Sequence, residues 1–314
     1  MSSVYSYQEY CQLIIQYLPT IQVLEVIGSF DRLATFACKE PINGTVFPSP
    51  NSRAPVLITH RIEGRPVSDR VARGDGHVRA RVLEVSHNHP GIVTSCTPFP
   101  SGKRGLNVEL TRYYEGGLTL YSYLQQQQHG GMSPTELMRL MGPAVSGLAF
   151  LHNYGLVHRD VKPSNIFVVD QDGGHTTAIL GDLETADTFG VTDSIVRTQL
   201  YAPPEAFPPR GGRQPITPAG DVFCLGVTVA EMLVGCTESQ NGLTIQVPTI
   251  QSGRGVYVSD GVLSDHMREA LGASHPRHAE RLLNVLERAI APNPSTRPSV
   301  LAFWRDLGRV FTSN

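Results

Sequence analysis

Five side chains of distinct chemistry stand close together in LVHRDVKPSNIFVV, residues 156–169. They are His158, Arg159, Asp160, Lys162 and Asn165. β-Branched and apolar patches flank them, so the polar group sits on a loop between two short hydrophobic elements. A carboxylate, an ammonium and an amide within six residues suit phosphoryl transfer. The carboxylate positions the attacking hydroxyl, the cation offsets the transferred charge, and a neutral oxygen serves a hard metal. A capped turn with incidental charges would account for Asp160 alone. It accounts poorly for the whole H-R-D-x-K-x-x-N frame.

Four further segments follow in order. In Ile179-Leu180-Gly181-Asp182-Leu183-Glu184, Asp182 lies 22 residues beyond Asp160. Next come Arg197-Thr198-Gln199-Leu200-Tyr201-Ala202-Pro203-Pro204-Glu205, then Asp221-Val222-Phe223-Cys224-Leu225-Gly226, and last Pro294-Ser295-Thr296-Arg297-Pro298. Together with the first frame they resemble the catalytic loop, the D-F-G, the A-P-E, the D-x-W-S-x-G helix and the late arginine of the eukaryotic protein kinase superfamily. Lys162 followed by Pro163 resembles the serine/threonine-specific form. The resemblance implies that Asp160 orients the substrate hydroxyl and accepts its proton. It implies that Lys162 offsets charge on the moving phosphoryl group, and that Asn165 and Asp182 hold Mg2+. Leu183 takes the place of the packing Phe. Glu184 stands where the family has Gly, and Gly would lend that loop backbone freedom. Arg297 is implied to pair with Glu205. Arg159 is implied to contact a phosphorylated activation segment, with Thr188, Thr192 and Ser194 as candidate phosphosites and Thr198 serving the substrate pocket.

The first third matches more thinly. Ile27-Gly28-Ser29-Phe30-Asp31-Arg32-Leu33 resembles a glycine-rich phosphate loop that keeps Gly28 and the loop-tip Phe30. Asp31 stands at the third glycine position. Thr111, Tyr113 and Tyr114 resemble the gatekeeper and the strip whose backbone binds adenine. His87 to Val93 resembles the turn after helix C; a metal site from His87 and His89 lacks any further ligand nearby. The cation for the α/β-phosphates has two candidates. Lys39 ends a V-A-x-K-like Phe36-Ala37-Cys38-Lys39, but it follows Gly28 too closely to leave room for two complete strands. If 32–38 is instead the second strand and 56–62 the third, Arg61 supplies the cation as a planar fork. The spacing favours the second alignment. The place of the helix-C glutamate holds Arg79, so the usual Lys–Glu pair is missing or rebuilt; Glu63 with Arg79 is one conceivable reversal.

These residues need elements to hold them. IQVLEVI (21–27), RLATFAC (32–38) and APVLITHRI (54–62) are β-branched or apolar runs bounded by turn residues, and read as strands. Residues 5–17 have helical apolar spacing. Residues 133–155 open on Ser133, Pro134 and Glu136, a capping-box start to an apolar helical stripe. The 220–235 segment is apolar nearly all round, as a buried helix is. Segments 278–292 and 299–311 read as amphipathic helices. A strand-rich first third thus precedes a helix-rich remainder. The expected fold is α+β and bilobal, protein-kinase-like, with a small β-rich N-lobe and a larger, mainly helical C-lobe. Expected boundaries are 1–20 for a helical extension, 21–111 for the N-lobe and 112–314 for the C-lobe, one catalytic domain over 21–312.

Composition narrows the classes. Lys and Arg number 26 against 28 Asp and Glu, a net charge of −2 over 314 residues. That argues against a basic nucleic-acid binder. No apolar run approaches the ~18 residues of a membrane helix. Met1 to Leu18 lacks the layout of a secretory signal. Five scattered cysteines without C-x-x-C suggest neither disulfides nor a zinc knuckle, so cytoplasm or nucleus is the expected compartment. No feature sets an oligomeric state. The resemblance implies an ATP-dependent serine/threonine kinase using Mg2+ and a protein substrate. The alternative it leaves open is a pseudokinase that binds nucleotide or scaffolds a partner. A small-molecule kinase of related fold is disfavoured by the A-P-E-like segment and Arg297.

Overall fold

The computed structural model describes residues 22–30, 33–39, 56–62, 82, 85–86, 88–93, 95–100, 106–112, 118–126, 131–171, 175–192, 201–207, 212–235, 249–252, 255–258, 263 and 265–312. The helix expected at 5–17, and Arg79 and Glu63, lie outside them. The chain divides into two compact units. The first runs from Met1 to Asn88 and from Val93 to Gly116. The second comprises His89–Ile92 and Gly117–Asn314. The division falls a few residues past the boundary expected at 111, and the 89–92 turn goes with the second unit.

The first unit carries one antiparallel sheet: β1 (Gln22–Phe30), β2 (Leu33–Lys39), β3 (Val56–Ile62), β4 (Ser95–Pro100) and β5 (Leu106–Arg112). Their spatial order is β1-β2-β3-β5-β4. The β-branched runs at 21–27, 32–38 and 54–62 are therefore three separate strands, each within a few residues of its expected span. Phe30 at the end of β1 pairs with Leu33 at the start of β2. Gly28 lies inside β1 opposite Thr35, beside a register shift. An irregularity of that kind is where a strand glycine is expected.

In the second unit β6 (Leu118–Thr119), β8 (Ile166–Gln171) and β9 (His175–Leu180) form a small sheet, and β7 (Leu156–Val157) pairs with β10 (Asp187–Thr188). β11 (Gly190–Thr192) pairs with β12 (Gln214–Ile216), and β13 (Thr249–Ser252) with β14 (Gly255–Val258). Among the described residues the helices follow the order α1 (Leu120–Gln126), α2 (Pro134–Asn153), α3 (Pro218–Val234), α4 (Asp265–Ser274), α5 (Ala279–Ala289) and α6 (Val300–Thr312). No helix among the described residues is long and apolar enough to cross a membrane.

α2 forms because Leu137, Leu140, Met141, Ala144, Val145, Leu148 and Leu151 recur at helical spacing and are all buried. Each leucine so removed from water contributes roughly 1.5–3 kcal/mol. Ser133 Oγ caps the helix by accepting from Glu136 N at 3.3 Å. The reciprocal half of the expected capping box is replaced: Glu136 Oε1 accepts from the Tyr123 hydroxyl on α1 at 3.0 Å. α3 is buried along its whole length from Asp221 to Leu233. It is the helix against which α4, α5, α6 and α2 all pack.

The turn at 89–92 sits hard against α2. A Cβ on Gly91 would lie 1.9 Å from Pro143 O, so only glycine fits there. Gly91 N donates to His89 Nδ1 at 3.0 Å, and His89 Nε2 meets Ser146 Oγ at 3.1 Å. An amide only donates, so the ring is neutral, with its proton on Nε2. Burial lowers the His89 pKa below its ordinary 6.5. The unfolded chain then takes the proton first, so this site's contribution is full above pH ~6.5 and falls as pH drops through it. The urea midpoint of the protein should therefore fall more between pH 7.5 and 5.5 than that of His89→Gln. Equal pH dependence in both would refute the assignment.

Candidate active site

α2 ends at Asn153, and Gly155 at φ 71° turns the chain into β7. The loop beyond, from His158 to Asn165, hangs on Asp221 at the start of α3. Asp221 is fully buried. Its Oδ2 accepts from His158 N at 2.8 Å and its Oδ1 from Arg159 N at 2.8 Å. The same Oδ2 meets His152 Nε2, on the last turn of α2, at 2.8 Å. Arg159 is held at φ 75°, a left-handed conformation that costs a non-glycine residue about 1–3 kcal/mol. Two hydrogen bonds to one buried carboxylate offset that cost.

His158, also fully buried, ties this loop to the next. Its Nδ1 accepts from Asp160 N at 3.3 Å, so its Nε2–H donates to Gly181 O at 2.8 Å. Thr185 Oγ1 returns a bond to His158 O at 2.8 Å. Gly181 N donates to Asn165 O at 2.9 Å. The H-R-D-x-K-x-x-N loop and the loop carrying Asp182 are thus laced together by main-chain and imidazole contacts.

The expected catalytic residues converge on one carboxylate. Lys162 Nζ lies 2.7 Å from Asp160 Oδ2. Asn165 Nδ2 donates to that oxygen at 3.0 Å and to Asp160 O at 2.8 Å. Asp160 is only 9 % exposed. Both amide hydrogens of Asn165 are engaged, so its remaining polar atom is the side-chain carbonyl, a neutral oxygen suited to a hard cation. Asp182 caps a 3-10 turn at Leu183–Thr185 in left-handed conformation, φ 56°, with its side chain exposed. Leu183 is buried, as expected of the residue replacing the packing Phe. Asp182 with Asn165 offers one carboxylate and one amide oxygen. That fits Mg2+, which keeps several waters and takes few protein ligands.

The segment around 201–207 is anchored below. The Tyr201 hydroxyl donates to Glu231 Oε2 at 2.8 Å, and the Cys224 thiol donates to Tyr201 O at 3.1 Å. Burial raises the Cys224 pKa well above its ordinary value, with Asp221 adding to the effect, so this thiol stays protonated. Glu205 pairs with Arg297 through both oxygens, at 2.6 and 2.8 Å, as the resemblance implies. A cavity of about 30 Å3 lies beside Asp160, lined by Tyr201, Pro203 and Gln214 among others. It has room for a water or two.

Asp221 was legible as the opening residue of the segment that resembles the D-x-W-S-x-G helix, without its partners, and Glu231 only as a member of an apolar helix. An acid in the middle of an otherwise buried stripe is itself a signal, because a buried carboxylate needs partners. Gly28 and Phe30 lie in β1, Lys39 at the end of β2, Arg61 in β3 and Thr111 in β5, all in the first unit. Tyr113 and Tyr114 lie outside the described residues.

The model of the protein kinase domain family matches residues 80–306. Chicken (Gallus gallus) ribosomal protein S6 kinase 2 alpha is 31 % identical over 154 residues, which is 49 % of this chain and 20 % of that one. The serine/threonine-protein kinase PknL of Mycobacterium tuberculosis is 36 % identical over 141 residues, 44 % of this chain and 34 % of its own length. Mouse (Mus musculus) ribosomal protein S6 kinase alpha-2 is 29 % identical over 185 residues, 58 % and 24 % of the two chains. The matched stretch is a fifth to a third of each relative. With the family model spanning more than half of its length and the Asp160 constellation intact, this chain belongs to the protein kinase domain family.

Proposed function

We propose that the chain is an ATP-dependent protein serine/threonine kinase. The observation that carries this reading is the junction of Lys162 and Asn165 on the Asp160 carboxylate. Asp160 orients the hydroxyl of a protein substrate and takes its proton. Lys162, already facing the same carboxylate oxygen, offsets charge as the phosphoryl group passes. Mg2+ and ATP, when bound, supply the activated phosphoryl group. Asn165 Oδ1 and Asp182 would hold the metal, and Thr111 to Tyr114 the adenine. In such chemistry positioning and electrostatics supply most of the rate. The proline after Lys162 and the serine/threonine kinases among the relatives favour an aliphatic hydroxyl as acceptor. The test is transfer from labelled ATP with Mg2+, to itself and to a generic protein. Absence of transfer together with absence of a nucleotide-dependent thermal shift would overturn the reading in favour of a scaffolding pseudokinase.

Arg61 is proposed as the phosphate-binding cation. The sheet order makes 56–62 the third strand, with Arg61 opposite Leu33 and Asn107, whereas Lys39 closes the second strand opposite Gln22. Arg61→Met should weaken ATP binding about tenfold or more, the effect of losing a charge-assisted contact of about 1.5–3 kcal/mol. Lys39→Met should leave it within twofold. A loss confined to Lys39→Met would reverse the assignment.

A further inference from the structure

We infer that Asp187 is a positioning residue that supplies Arg159 with its counter-charge from within the chain, so that phosphotransfer does not depend on phosphorylation of the segment after Asp182. The inference rests on the kinase reading above. Arg159 is 7 % exposed at its side chain and Asp187 10 %, with Nη1 and Oδ2 3.6 Å apart. At that separation the contact is an ion pair rather than a hydrogen bond. A buried guanidinium demands such compensation, because removing one partner of a buried pair leaves an uncompensated charge.

The pair closes a ring of contacts. Asp187 lies opposite Val157 in the β7–β10 pairing, two residues before Arg159. Its other oxygen, Oδ1, accepts from Thr188 N at 2.8 Å. Arg159 is thereby gripped at both ends: Asp221 takes its amide and Asp187 its guanidinium. Its left-handed backbone, which would relax if released, delivers Asp160 directly.

The stretch beyond Asp187 is secured as well. Phe189 N donates to Gly155 O at 3.3 Å. Gly190 to Thr192 pair with Ile216 to Gln214, and Arg213 Nη2 reaches Val191 O at 3.4 Å. Main-chain pairing on both sides of Phe189 thus holds 187–192 by contacts that need no phosphate. A phosphate brought to Arg159 would meet Asp187, and like charges repel. The contact expected between Arg159 and a phosphorylated segment is therefore replaced by a fixed carboxylate.

The test uses the full chain, stripped of phosphate with a broad-specificity phosphatase and checked by intact mass. Stripped wild type should keep kcat within twofold of the untreated protein. Asp187→Asn should lower kcat at least tenfold with KM for ATP within twofold, and Asp187→Glu should restore most of it. Amide exchange at 188–192 should be slow in stripped wild type and at least tenfold faster in Asp187→Asn. Loss of transfer on phosphate removal, or wild-type kcat in Asp187→Asn, would overturn the inference. If no form transfers phosphate, the kinase reading has failed, and exchange alone decides: equal rates at 188–192 in wild type and Asp187→Asn overturn the anchoring role, while unequal rates uphold it.

Discussion

Asp160→Asn is expected to reduce phosphotransfer by about three orders of magnitude, within the usual range for removing a general base. The fold should survive it. Asparagine has the same shape, and the hydrogen bond from Asn165 Nδ2 to residue 160 O does not involve the side chain. The side-chain oxygen of the new amide still accepts from Asn165 and Lys162. Lys162, 18 % exposed, can recover some hydration for its charge. What disappears is an oxygen that can take a proton from the attacking hydroxyl. Melting should shift by no more than about 4 °C, corresponding to about 1 kcal/mol in a unit of this size. The nucleotide-dependent thermal shift should persist, because the proposed metal and adenine contacts fall to other residues. Rates within tenfold of wild type would remove Asp160 from the chemistry. A collapse of the thermal shift would show that the carboxylate serves binding rather than transfer.

The sequence was most legible where a local pattern is also a chemical requirement. The frame at 158–165 falls on a loop because β-branched residues flank it, and Lys162 and Asn165 both reach Asp160 there. α2, α5 and α6 were legible from apolar periodicity and α3 from its nearly continuous apolar run, to within two or three residues at most ends. The Glu205–Arg297 pair, 92 residues apart, was accessible only through the resemblance, since no spacing rule links such positions. Other long-range ties left no sequence signal. Asp221 bonding to the amides of His158 and Arg159 depends on where α3 lies, not on any local pattern. The same holds for Asp187. A lone acid in a β-branched turn reads as a solvated residue, and only the β7–β10 register places it beside Arg159. In the first unit the strands were readable but their numbering was ambiguous. Short apolar runs fix strand existence, whereas sheet order decides which run is third. The near-neutral charge also takes on a structural meaning. In the second unit Arg159, Lys162 and Arg297 each face a carboxylate, so the cations around Asp160 and Glu205 are individually compensated.

Glu205→Ala should be the most damaging single change to stability, costing about 3–5 kcal/mol, because it strands a buried charge. The Arg297 side chain is completely inaccessible and Glu205 is 13 % exposed. All five guanidinium hydrogens are placed. Nε donates to Ala291 O at 2.7 Å. Nη1 serves Glu205 Oε1 and Ala219 O, and Nη2 serves Glu205 Oε2 and Pro292 O. The cation also lies 5.0 Å from the centroid of the Phe223 ring. One side chain therefore joins the 201–207 segment, the start of α3 and the 290–292 turn. Without Glu205 the guanidinium keeps three carbonyls but no compensating charge. Melting should fall by about 10 °C or more, at 2–4 °C per kcal/mol. Arg297→Lys should cost about half as much or more, since an ammonium has three donors and no planar fork to span the carboxylate. The double variant Glu205→Leu with Arg297→Met separates charge from geometry. If compensation of charge dominates, the double variant should be more stable than Glu205→Ala, because no ion is left buried. It should still fall short of wild type, because Ala219 O, Ala291 O and Pro292 O lose their donor. A double variant no better than the single would show that an uncompensated buried charge is not the main cost of Glu205→Ala. A Glu205→Ala protein melting within 3 °C of wild type would show that the pair does not hold the segment to α3.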